Sequence, residues 1–197
     1  MSTKHHRRLQ PAPPRPRQPP AFPENGTSFY DLPPELRIEI YNLVLSNVTL
    51  HILPPTTTSR RRHPHALLRT SHQIRNEVLP LVHSSCPIRA EVTDFNFDGL
   101  LTWLARIPPL EQKYLVKNSS LRVSLCTTLQ PPGELGTLRR WLHDRADPCR
   151  EQPNWTYSGP TPSSKVANDL RRRIRRMKEP RKQAELKKMV KAIGVAL

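Results

Sequence analysis

Residues 29–45 read FYDLPPELRIEIYNLVL. The stretch predicts the first buried helix, and the rest of the chain is read outward from it. Asp31 or Leu32 is placed to cap it. Pro33 and Pro34 fall in the first turn, where proline forfeits no hydrogen bond and its fixed φ suits a helix. Glu35 lies at the positive end of the macrodipole. At about 100° per residue, Leu36, Ile40, Leu43 and Val44 form one apolar stripe, expected to face the core. Ile38, Tyr41 and Leu45 form a second stripe roughly opposite. Glu35, Glu39, Asn42 and Ser46 leave only a narrow polar sector. Two apolar faces need two surfaces to meet: either both lie in one core, or one is kept for a partner.

Further along, residues 66–81 read ALLRTSHQIRNEVLPL. Leu67, Leu68, Ile74, Val78 and Leu81 give a buried stripe, and Arg69, Gln73, Arg75, Asn76 and Glu77 the outer face of a helix over 65–81. Pro80 is expected to kink or finish it. Leu32-Pro33-Pro34-Glu35-Leu36, with Ile38, Ile40, Tyr41 and Leu43 to Leu45, resembles the opening helix of an F-box. Together with the second stretch it is similar to the F-box-like proteins of filamentous fungi. Ser71 stands where that family usually has Cys, and Val82-His83 where it usually has Phe-Tyr. The resemblance implies recruitment to a cullin-RING ubiquitin ligase through a Skp-type adaptor. Pro33, Pro34, Leu36, Ile38, Ile40, Tyr41 and Leu45 are the implied contact residues.

Between and after these helices, several short segments alternate apolar and polar residues, the period of a half-buried strand. They are 48–52, 88–92 and 121–125. Residues 97–107 and 110–116 predict helices separated by Pro108-Pro109, and 138–142 a short amphipathic helix. Residues 130–136 read as a turn region. Arg60, Arg61 and Arg62 fall in a polar loop over 56–64. Three strands among helices suggest a small sheet with helices on one face. No internal repeat follows.

Charge separates the ends from the middle. The chain carries +16, of which 1–28 supply +4, 29–162 only +3, and 163–197 +9. Seven of the 23 prolines precede Asn25, and apolar residues make up 36% of the chain, below the globular norm of about 45–50%. Residues 1–28 therefore predict a disordered tail sampling polyproline II, with Pro13, Pro14 and Pro16 a possible ligand for a proline-reading module. Residues 146–162, rich in proline, predict a linker. Residues 163–197 predict a basic amphipathic helical tail, capped at Ser163 or Ser164 and broken at Pro180. Leu170, Ile174 and Met177 lie on one side, and Leu186, Met189, Val190 and Ile193 on another. Arg171, Arg172, Arg173, Arg175, Arg176 and Lys178, then Arg181 and Lys182, form paired basic clusters that suit an import receptor or a nucleic acid. The globular domain is expected to span 29–145.

Other functional classes find little support. Six glycines leave no phosphate-cradling loop, and no Gly-x-Ser-x-Gly elbow is present. Asp94 and Asp98 are expected as helix caps. His63, His65, His72, His83 and Cys86 follow no zinc spacing, so no metal or cofactor is expected, and the chain is not read as an enzyme. Cys86, Cys126 and Cys149 are expected as reduced thiols. Sequons at Asn25, Asn47, Asn118 and Asn154 are then expected to stay unmodified. No apolar run spans a bilayer. The expected setting is nuclear or cytoplasmic, with the nucleus favoured by the basic clusters. The expected fold is α+β and mostly helical: a small F-box-like helical unit with a short three-stranded sheet, flanked by disordered or basic tails.

Overall fold

The computed structural model describes residues 28–52, 66–128 and 135–197. The expectations for 1–27, for the Arg60–Arg62 loop, for His63 and His65, and for most of the 130–136 turn lie outside them. Among the described residues, the chain forms seven α-helices and one four-stranded sheet. The fold is mixed and mostly helical, but the sheet has four strands where the sequence predicts three.

The strands are β1 (Leu50–Ile52), β2 (Ile88–Thr93), β3 (Leu121–Cys126) and β4 (Thr156–Ser158). They lie in chain order and every neighbouring pair is parallel. Parallel neighbours need crossovers, and helices supply them. α2 (His72–Ser85) joins β1 to β2, α3 (Asp98–Ala105) and α4 (Pro109–Lys117) join β2 to β3, and α5 (Gly136–Ala146) joins β3 to β4. In register, Ile88 pairs with Leu121, and Ala90 pairs with both Ile52 and Val123. All these apolar residues therefore point to one face. The other face carries His51, Arg89, Glu91, Thr93, Arg122, Ser124 and Cys126, all exposed. Parallel sheets are usually covered on both sides and read as continuous apolar runs. Here one side is polar, which is why β2 and β3 alternate strictly.

The segment expected as a linker supplies β4. Trp155 beside it is buried, as is Tyr157 within it. Gly159 ends the strand so close to β3 that a Cβ there would overlap the Leu125 carbonyl oxygen. The segment expected as a basic tail supplies α6 (Ser164–Arg176) and α7 (Pro180–Ala192). Ser163 caps α6, its side chain accepting from the Val166 amide. Val166, Leu170, Ile174, Leu186, Met189 and Val190 join the same core as the sheet. A polar chain threads this region. Trp141 Nε1 donates to Tyr157 Oη at 3.1 Å, Tyr157 Oη to Glu185 Oε1 at 2.5 Å, and Arg145 Nε to the same oxygen at 3.2 Å. It joins α5, β4 and α7. Burial pushes the Tyr157 phenol well above its ordinary value.

Helix boundaries elsewhere show what proline does locally. Pro34 opens α1 (Pro34–Leu45) as the sequence predicts, and Pro109, expected only to separate two helices, is itself the first residue of α4. Pro80 neither breaks nor ends α2, which runs on to Ser85 and buries Val82 and His83 beyond it. A mid-helix proline forgoes one hydrogen bond and costs about 3 kcal/mol or more; burying the following turn offsets it. Asp98 is not the cap of α3: Phe97 holds the N-cap position, and Asp98 follows it in the first turn. Asp94 is not a cap: its carboxylate accepts from the Thr128 amide at 2.7 Å and hydroxyl at 3.1 Å, tying the end of β2 to the end of β3. Asn118 is buried, its amide donating to the His83 and Cys86 carbonyls, so that sequon is inaccessible in the folded chain.

Candidate interaction surface

α1 and α2 form a second, smaller core of Tyr41, Leu45, Leu68, Val78, Val82 and Cys86. A 3-10 turn, Phe29–Asp31, precedes α1. Ser28 and Asp31 form a capping box on that turn, and Pro33 occupies the N-cap of α1 itself. Neither Asp31 nor Leu32 caps the α-helix. Phe29 packs on Tyr41 with ring centroids 5.7 Å apart.

The helix is held along one line. Arg37, Tyr41 and Leu45, four residues apart, are its only buried residues. All three reach α2 or the small core. Arg37 Nη2 donates to Glu77 Oε1 at 2.9 Å and Nε to Oε2 at 3.2 Å, a bidentate pair. Arg37 Nη1 also donates to the Leu32 carbonyl at 2.6 Å. Tyr41 Oη donates to Glu77 Oε2 at 2.8 Å, and Gln73 Nε2 to Oε1 at 3.1 Å. Hydrogen bonding from Arg37 holds the Glu77 carboxyl below its ordinary value and raises Arg37 in turn. Burial, then the bond to Glu77, pushes the Tyr41 phenol up to about 12.

The stripe expected in the core is therefore the one that faces water. Leu43 is 70% exposed, Leu36 and Val44 47% each, and Ile40 is also exposed. At 100° per residue these four occupy one continuous sector of α1. Ile38, on the other flank of the contact line, is exposed as well. Of the implied contact residues, Pro33, Pro34, Leu36, Ile38 and Ile40 are accessible, while Tyr41 and Leu45 are buried. Leu43 and Val44, absent from that set, belong to the exposed sector. Most of the large exposed apolar side chains among the described residues lie on this helix. Scattered exposed apolar residues are ordinary, whereas a contiguous set marks a contact surface.

The basic residues sit on folded helices. Arg172, Arg175, Arg176, Lys178 and Arg181 are exposed. Arg173 pairs with Asp169, Lys182 with Glu179, and Arg171 donates to the Ala196 carbonyl and to Asn168. A receptor reading them as a linear peptide would have to unwind α6 and expose Leu170 and Ile174.

Among the described residues, no three His, Cys, Asp or Glu side chains converge to hold a metal, and no helix is long and apolar enough to cross a membrane. Comparison with family models, curated proteins and solved structures finds no match to this chain.

Proposed function

We propose that this protein is an interaction module whose contact element is α1, and that it docks a Skp-type adaptor of a cullin-RING ubiquitin ligase. The observation that carries the reading is the exposed sector Leu36, Ile40, Leu43 and Val44 on a helix clamped from behind through Arg37 and Tyr41. Its spacing, i, i+4, i+7 and i+8, is that of a helix laid into an apolar groove. Fixing the helix on α2 before binding reduces the ordering cost of association. The two stretches that resemble the fungal F-box-like pattern meet in space, since Arg37 comes from one and Glu77 from the other.

The test is titration calorimetry of the full chain against a purified Skp-type adaptor. Leu43→Glu and Ile40→Glu are expected to abolish the heat of binding, because an unpaired carboxylate buried at an interface costs several kcal/mol. Circular dichroism should be unchanged, since both side chains face water. No binding by the wild-type chain at micromolar concentrations would refute the adaptor reading. Binding that survives both substitutions would place the contact elsewhere than α1.

A further inference from the structure

A second surface lies on the opposite part of the chain. Residues 163–197 hold 12 basic and 3 acidic side chains. All three acids are already matched: Asp169 to Arg173, Glu179 to Lys182, and Glu185 to Arg145 of α5. Among the described residues, the other ten basic side chains of this segment meet no carboxylate. The apolar stripes of α6 and α7 are buried, so the unmatched cations lie on the outer faces. Lys165, Arg172 and Arg176 share one narrow sector of α6, about two turns and then about one turn apart.

This sector borders a hollow of about 410 Å³ between α5 and α6. Its rim carries Arg139, Arg172 and Arg176, besides the Arg173–Asp169 pair. Its floor is apolar, with Leu138, Leu142 and Met177. We propose that this face binds single-stranded nucleic acid, with phosphates on the guanidinium rim and a base in the hollow. Three features favour that occupant. Guanidinium forks match phosphate oxygens bidentately. A base has a flat apolar face for the floor and the arginine planes, which an aspartate or glutamate side chain lacks. An anionic membrane is disfavoured, because neither α6 nor α7 exposes a large apolar side chain for insertion.

The test is fluorescence anisotropy of the full chain with a labelled 12-nucleotide oligouridylate, beside the same length of oligothymidylate. Four phosphate contacts, from Arg139, Lys165, Arg172 and Arg176, imply a log–log salt slope of about −2.8. Affinity should then fall about 50-fold between 50 and 200 mM salt. The Arg172→Glu/Arg176→Glu double variant should bind at least about 10-fold more weakly with an unchanged melting temperature. Should it fail to fold, Arg172→Gln/Arg176→Gln replaces it, with the same direction expected. Arg89→Glu/Arg122→Glu, an equal charge change on the open face of the sheet, should leave affinity within about twofold. A polyglutamate peptide of matching charge, or vesicles rich in phosphatidylserine, binding as tightly as the oligonucleotide would overturn the proposal. So would equal losses in the two double reversals, or no loss from the α6 variants.

Discussion

Leu170→Ala tests whether α6 and α7 are part of the core. Leu170 is fully buried at the centre of the α6 stripe, between Val166 and Ile174, which are also buried. Truncating a leucine in such a site removes its transfer free energy and leaves a cavity that backbone on both sides resists closing. The range for this change is about 2–5 kcal/mol, and full burial places Leu170 at about 3 kcal/mol or above. With a urea m-value of about 2 kcal/mol/M for a chain of this size, the midpoint should fall by about 1.5 M. The assay is equilibrium urea unfolding followed by Trp fluorescence, since Trp141 and Trp155 are buried in the same core. Arg175→Ala, on the exposed side of the same helix, should cost less than about 0.5 kcal/mol. Deleting 163–197 removes nine buried apolar residues. At about 1.5–3 kcal/mol for each large one, that loss exceeds the net stability of about 5–15 kcal/mol typical of a domain, so the truncated chain should not fold. A Leu170→Ala midpoint shift below about 0.3 M, or a cooperative transition in the truncated chain at the wild-type midpoint, would refute the reasoning.

Three further outcomes follow from particular contacts. Burial holds the His83 imidazole below its ordinary pKa; its Nδ1 has no hydrogen-bond partner, with Glu111 4.0 Å away and the Trp103 ring edge-on. The unfolded chain then binds the proton more tightly, so the contribution of neutral His83 is full above about pH 6.5 and is lost as pH falls below it. Melting temperatures from pH 8 to 5 should decline below that point, less steeply in His83→Phe. Glu77→Gln removes the carboxylate that holds Arg37 and Tyr41; hydrogen exchange should quicken through α1 and stay unchanged in β2 and β3. Gly159→Ala drives a methyl group against the Leu125 carbonyl oxygen and should destabilise by about 1–3 kcal/mol, as overpacking does, read as a lowered urea midpoint.

Much of the secondary structure was legible because local chemistry decides it. Pro34 marks a helix start since proline forgoes nothing in a first turn. β2 and β3 alternate because one side of the sheet is left to water, and each strand carries that asymmetry within itself. The orientation of α1 was not legible. Periodicity yields two apolar stripes but does not say which one meets the core, and the stripe with more apolar residues is the one that faces water. The choice is made by Glu77, 40 residues away, which takes Arg37 and Tyr41 and turns Leu36, Ile40, Leu43 and Val44 outward. β4 is three residues among prolines, too short for its pattern to register; its pairing with β3 creates it. The basic stretch after Ser163 shows its apolar stripes plainly, but its charge predicts a basic tail outside the core. Charge determines what the outer face of a helix meets, whereas burial depends only on whether the narrow apolar face finds a surface. That surface is assembled from α5 and the sheet, and no stretch of sequence contains it.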